Sequence, residues 1–198
     1  YATQINGEMG YQVDVNYLIP KKSALGGKYG TKLALSVASS QSIHRAPLDD
    51  GSFGDKGTQG YVSNVLTWGE IPYFRDVNFS ISRKFSSKYK TQVTAYRLGY
   101  NKSVLADGLN DYAILAAPDS DSMLVVPALA WEQQFALPNH QTLRTEFQWS
   151  GGQGYRGAMA MFLAEYTLSE AWVVAVQDIY NYGNPSESRR LHYPLLSV

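Results

Sequence analysis

Residues 158–184 read AMAMFLAEYTLSEAWVVAVQDIYNYGN. The stretch reads as two long strands joined by the short turn Thr167-Leu168-Ser169-Glu170. Tyr166 stands before that turn and Trp172 after it, so two rings flank one end of a hairpin. A long hairpin with aromatic residues at its end is the unit from which membrane β-barrels are made. The fold therefore turns on whether this unit repeats. Two features pull against the reading. Ala158, Ala160, Phe162 and Ala164 oppose Met159, Met161, Leu163 and Glu165, so both faces are mostly apolar and the composition also suits a helix. Asp178 shares parity with Val174 and Val176, which aims a carboxylate from an apolar face unless it reaches an interface.

Upstream, the alternation recurs. In 9–19, Tyr11, Val13, Val15, Tyr17 and Ile19 share one face, with Gln12, Asp14 and Asn16 on the other. That period of two predicts a strand. Pro20 stops it, and the turn KKSALGGK leads to a second strand, 29–38, which sets Leu33, Leu35 and Val37 against Lys32, Ala34 and Ser36. A polar loop is expected over 41–71. In 73–85, Val77, Phe79 and Ile81 alternate with Asp76, Asn78, Ser80, Ser82 and Lys84. Ser86-Ser87-Lys88 turns the chain into 89–100, whose faces the pattern leaves undecided. A second loop is expected over 101–121. In 123–137, Leu129, Trp131 and Phe135 oppose Glu132 and Gln134, and Pro127 implies a bulge or a late strand start. After Pro138-Asn139-His140, Leu143, Thr145, Phe147 and Trp149 alternate with Arg144, Glu146 and Gln148. A ninth strand is expected from Arg190 onward.

The four short turns are each preceded by a ring, at Tyr17, Phe85, Phe135 and Tyr166. Tyr29, Tyr89 and Trp172 follow three of them. The intervening connections are longer and irregular. Short turns on one side, long loops on the other and an aromatic row on the short-turn side match the layout of outer-membrane barrels. The expectation is an all-β chain, an antiparallel up-and-down transmembrane β-barrel with at least eight strands, forming one domain over 1–198 and part of a larger barrel. A soluble β-sandwich alternates too, because there the apolar face is core. Strands longer than the usual ~5–6 residues and the scarcity of charge on the polar faces favour the membrane version.

Composition narrows the function. The 17 basic and 17 acidic residues cancel, giving no basic stripe for nucleic acid. Charged residues make up 17% of the chain against roughly 25% in soluble domains. The 15 tyrosines suit an apolar–wet boundary. With no cysteine, thiolate metal sites, disulfides and a cysteine nucleophile are excluded. The longest uncharged apolar run, 123–131, falls well short of the ~20 residues of a spanning helix, so a membrane would be crossed by strands. The chain does not begin with Met and closes on a strand-like Tyr-Pro-Leu-Leu-Ser-Val, so a section of a longer precursor is expected.

Candidate functional residues follow from the faces. Asp14, Asn16, Lys32, Asp76, Asn78, Lys84, Glu132, Arg144, Glu146 and Gln148 would line a lumen of mixed charge, as a channel wall or as an ion-paired plug. Tyr17, Tyr29, Phe85, Tyr89, Phe135, Tyr166 and Trp172 would form the membrane-edge girdle. Tyr61, Trp68, Tyr73, Tyr180 and Tyr182 read as an upper girdle or as sugar-stacking rings. The run Asp49-Asp50-Gly51-Ser52-Phe53-Gly54-Asp55 lacks the spacing of a calcium loop, and Asp119 and Asp121 make no stronger case. His44, His140 and His192 are scattered, and no G-x-S-x-G elbow exists, so no catalytic residue, metal or cofactor is assigned.

Across 158–193, Glu165, Tyr166, Trp172, Asp178, Tyr180, Asn181, Tyr182, Gly183, Asn184, Leu191, His192 and Tyr193 spell EY…W…D-x-YNYGN…LHY. This pattern resembles the C-terminal part of an uncharacterised family of Bacteroidota outer-membrane proteins. The resemblance implies an outer-membrane barrel and no activity. The expected role is a non-enzymatic channel or uptake pore in the bacterial outer membrane, with the lipid bilayer as partner. The alternative is a plugged accessory subunit of a secretion or nutrient-uptake complex, beside other outer-membrane subunits or surface lipoproteins. An outer-membrane lipid hydrolase and a soluble lectin-like protein stand further back. Val15→Arg and Leu35→Arg are expected to cost ~2–4 kcal/mol in a lipid-embedded barrel and Ser80→Arg much less. Denaturant titration in micelles measures this, and equal sensitivity at the three sites would contradict the face assignment.

Overall fold

The computed structural model describes residues 8–44, 68–101, 123–152 and 157–198. They form β1 (Glu8–Ile19), β2 (Thr31–Ile43), β3 (Trp68–Lys84), β4 (Tyr89–Asn101), β5 (Met123–Ala136), β6 (Thr142–Ser150), β7 (Met159–Ser169), β8 (Trp172–Tyr180) and β9 (His192–Ser197). The nine strands lie in one sheet in chain order. The pairs from β5 to β9 are antiparallel, so the sheet is an up-and-down meander. Among the described residues β1 and β9 each have a single neighbour, and the sheet is open. No described helix is long and apolar enough to cross a membrane, a fact that says nothing of crossing by strands.

Several boundaries differ from the sequence expectation. The Ala- and Met-rich run of β7 is a strand, because β6 and β8 bond it along both edges and ladder pairing overrides helix propensity. Its turn lies two residues later than expected. A bulge between Thr167 and Ser169 carries β7 onward, Ser169 faces Trp172, and Ser169 Oγ accepts the Ala171 N–H at 3.3 Å. The turn residues are therefore Glu170 and Ala171. β3 starts at Trp68, inside the expected loop, because Gly69 lets its backbone press against Ser42, whose Oγ accepts the Ile71 N–H at 3.2 Å. β2 starts at Thr31 and leaves Tyr29 in the turn, where Gly30 at φ +85° donates its N–H to Gly26 O. Pro127 lies within β5 but outside the β6 ladder. That ladder begins at Ala128, and Gly151 N–H donates to the proline carbonyl at 2.8 Å.

Strand β9 starts at His192 rather than Arg190. Asn181 N–H donates to Leu191 O at 3.1 Å, and the register runs on regularly from Tyr180↔His192 to Ala175↔Ser197. Odd-numbered residues of β9 thus bond β8, and the nitrogens of His192, Pro194 and Leu196 turn away from it. Proline is tolerated only at such a position.

By Cα proximity the chain forms two compact units. One comprises Tyr1–Val13, Val37–Val77 and Leu98–Val125. Its described interior centres on Tyr73, at 1% exposure, and Asn101, whose Nδ2 donates to Pro72 O at 3.2 Å. The other comprises Asp14–Ser36, Asn78–Arg97 and Val126–Val198, and contains β6 to β9 whole. A close backbone approach in this unit joins the connection before β7 to the run Asn181-Tyr182-Gly183-Asn184. Gly183 N–H donates to Ala158 O at 3.0 Å, and a Cβ on Gly157 would run into the Gly183 carbonyl. Asn184 Oδ1 accepts the Ser186 N–H, and Arg190 Nε donates to Asn184 O. The NYGN run is thus a backbone junction. Gly157 also sits at φ +67°, so Gly157→Ala should destabilise by ~1–3 kcal/mol, from the left-handed backbone plus the clash. Gly99→Ala, met chiefly by the flexible Met123 side chain, should be far milder, as denaturant titration would show.

Candidate functional site

The registers of β5 to β9 resolve the second unit into cross-strand rows. One face stacks the row Leu129, Trp149, Ala160, Tyr180, His192 over Trp131, Phe147, Phe162, Asp178, Pro194. Below these lie Gln133, Thr145, Ala164, Val176, Leu196, and then Phe135, Leu143, Tyr166, Val174. This face is apolar and open, with Phe162 52% and Val176 53% exposed. β4 joins it through Tyr89, which stacks between Phe85 at 5.8 Å and Phe135 at 4.9 Å. That contact assigns Thr91, Val93 and Ala95 to the aromatic face and settles the strand whose faces the sequence left undecided.

Most polar atoms on this face bond to one another. Trp131 Nε1 donates to Thr91 Oγ1 at 2.9 Å, and Thr91 Oγ1 donates to Glu132 O. Tyr89 O–H donates to Gln133 Oε1 at 3.1 Å. Trp149 Nε1 donates to Tyr182 Oη at 2.6 Å, and Tyr166 O–H donates to Gln141 Oε1 at 2.6 Å. Asp178 is not a bare carboxylate either. Its Oδ2 lies 2.6 Å from His192 Nδ1, and the imidazole stacks on Tyr180 at 4.1 Å with the rings within 1° of parallel. Asp178 Oδ1 is an exception, occluded and without a hydrogen bond.

The opposite face is polar on β5 and β6. Glu132 and Glu146 are direct cross-strand partners, a like-charge pair that would repel. Arg144 resolves it. Its Nε and Nη2 reach Glu132 Oε2 at 3.2 and 3.0 Å, and Nη2 also bonds Glu146. Gln148 Nε2 donates to Glu146 Oε1 at 2.5 Å, and Glu165 lies opposite Arg144 in the register. Toward β9 the same face loses its charge, with Met161, Leu163, Ile179 and Leu195 around the neutral Gln177.

Of the residues singled out from the sequence, Glu132, Arg144, Glu146 and Gln148 come together in this cluster. Asp14 and Asn16 lie on the exposed β1, Lys32 is exposed at the start of β2, and Asp76 and Asn78 are half-buried on β3. Lys84 instead puts its ammonium 5.4 Å from the centre of the Tyr29 ring, where Lys28 also lies at 5.5 Å. Among the ring residues, Phe85, Tyr89 and Phe135 form one stack, with the Arg83 guanidinium over Phe85. Tyr17 and Trp172 are each 61% exposed. The acidic run 49–55, Tyr61, Asp119 and Asp121 lie outside the described residues. Among the described residues no three His, Asp or Glu side chains form a metal-holding group. Sequence reasoning missed Glu165 as a member of the charged cluster and His192 as the partner of Asp178. The signal for the second was the shared parity of positions 178, 180 and 192 across a hairpin.

A model of a family of unknown function, DUF6029, matches residues 1–198. The chain belongs to DUF6029. No curated protein and no solved structure matches it. Removing Arg144 leaves Glu132 and Glu146 facing each other with no cation between them. Arg144→Gln should cost ~1–3 kcal/mol, between the values for exposed and buried pairs. Adding Glu132→Gln should recover part of that loss, and a denaturant double-mutant cycle measures the recovery.

Proposed function

We propose that the chain is wall of an integral outer-membrane β-barrel that serves as a non-enzymatic channel or uptake pore. The aromatic face meets lipid and the polar face lines the interior. The observation that carries this reading is the mutual satisfaction of polar atoms on the exposed apolar face. A water-facing surface has no need to hide the Trp131 and Trp149 indole N–H groups and the Tyr89 and Tyr166 hydroxyls among neighbours. In hydrocarbon, each unsatisfied polar group costs several kcal/mol. The lengths of β6, β7 and β8, at 9, 11 and 9 residues, also suit the ~9–11 residues of a tilted membrane strand. In a bilayer the edges of β1 and β9 must find partners, because an open edge cannot sit in lipid.

A second reading, a plugged accessory subunit, has its own support. The interior face of β7 to β9 carries Met161, Leu163, Ile179 and Leu195, side chains that suit contact with a plug better than contact with water. Two measurements decide. The folded protein should stay in solution only with detergent, and loss of that requirement would sink both readings. In a planar bilayer the channel reading expects stable conductance steps. A folded, inserted but silent protein would overturn it in favour of the plugged form.

A further inference from the structure

Within the first unit, β1, β2 and β3 enclose an open groove of about 380 Å³ lined by Tyr11, Ser39, Gln41, Trp68, Arg75 and Val77. Its walls form for local reasons. Gly69 lets β3 start close against Ser42, which brings Trp68 over β1, and its ring meets Tyr11 edge-on at 5.8 Å and 77°. Arg75 and Val77 stand two residues apart on β3 and line the groove together. Among the described residues no hydrogen bond or ion pair engages the Arg75 guanidinium. Arg144 on the polar face, by contrast, is held by two carboxylates.

The alternation of β3 continues as Arg75, Val77, Phe79, Ile81, Arg83, with the three apolar residues exposed. Two guanidiniums thus bracket an apolar segment, and they sit eight positions apart, close to the ~9–11 residues of a membrane strand. On the membrane reading above, on which this inference rests, Arg75 lies at the level of lipid headgroups. Its fork of N–H donors matches a phosphate. The Tyr11 hydroxyl, Ser39 and Gln41 add neutral donors beside it, and Val37 and Val77 supply an apolar floor for the first methylenes of a chain. We infer that this groove binds the phosphate headgroup of an anionic membrane lipid.

The test uses the full chain reconstituted into phosphatidylcholine vesicles containing phosphatidylglycerol, with bromine on the acyl chains of one lipid or the other. Trp68 emission is isolated by subtracting the Trp68→Phe protein in each background. Brominated phosphatidylglycerol should quench Trp68 more than brominated phosphatidylcholine does. Arg75→Gln should reduce that preference about fivefold, the factor for ~1 kcal/mol per basic residue at a charged surface. Equal quenching by the two lipids, or a preference that survives Arg75→Gln, would overturn the inference while leaving insertion intact. No quenching of any tryptophan by either lipid would remove the membrane reading and the inference with it. Inorganic phosphate at the phosphatidylglycerol concentration should leave the preference unchanged. Its loss would assign the groove to free phosphate and overturn the lipid assignment.

Discussion

The antiparallel ladder is the constraint on which the rest of the structure depends. Each strand places its backbone groups in its neighbours' hands, and the register then decides which side chains meet. Once Leu129 faces Trp149 and Trp149 faces Ala160, every other position follows by steps of two. A slip of one residue would turn Arg144, Glu132 and Glu146 onto the aromatic face and send Trp131, Phe147 and Phe162 to the polar one. Both the charged cluster and the aromatic rows therefore rest on one choice of register.

Much of this order was legible in the sequence, because a period of two survives without tertiary knowledge. Tyr11 to Ile19, Val77 to Ile81 and Leu143 to Trp149 announced strands, and the short turns announced their ends. What was hidden depended on pairs. Helix propensity in Ala158 to Leu163 measures an isolated segment, whereas β7 is decided by the two strands beside it. The bulge at Leu168 moved the turn because Ser169, rather than Thr167, is the residue that faces Trp172. β4 looked undecided because both parities mix polar and apolar residues, Thr91, Val93 and Ala95 against Gln92, Thr94, Tyr96, Leu98 and Tyr100. Its parity is fixed by contacts across strands, the stack of Tyr89 on Phe135 and the Trp131 bond to Thr91. The same limit applied to the candidate site. Asp178 looked misplaced until a histidine fourteen positions on supplied its partner. The YNYGN run carried the family resemblance and implied no activity, and its glycine and buried asparagines serve a crowded backbone crossing.

The two faces are built on different logic. On the aromatic face the polar atoms are few, and the indole N–H groups of Trp131 and Trp149 and the hydroxyls of Tyr89 and Tyr166 are consumed locally. On the polar face the charges form a network that holds together only as a unit, with one arginine reconciling two glutamates that the register forces together. Between that network and β9 the face loses its charge altogether. The polar face is therefore not uniform, charged on β5 and β6 and uncharged, largely aliphatic toward β9.

Pro194 gives β9 a mechanical character of its own. The side of β9 that holds β8 is a regular ladder, backed by the Asp178–His192 contact and the Tyr180 stack. The other side offers donors at His192 and Leu196 with a gap between them. A strand laid along that side would zip up with a tooth missing, and would peel from β9 before β9 peeled from β8. One imino acid thus makes the two sides of β9 unequal as pairing edges.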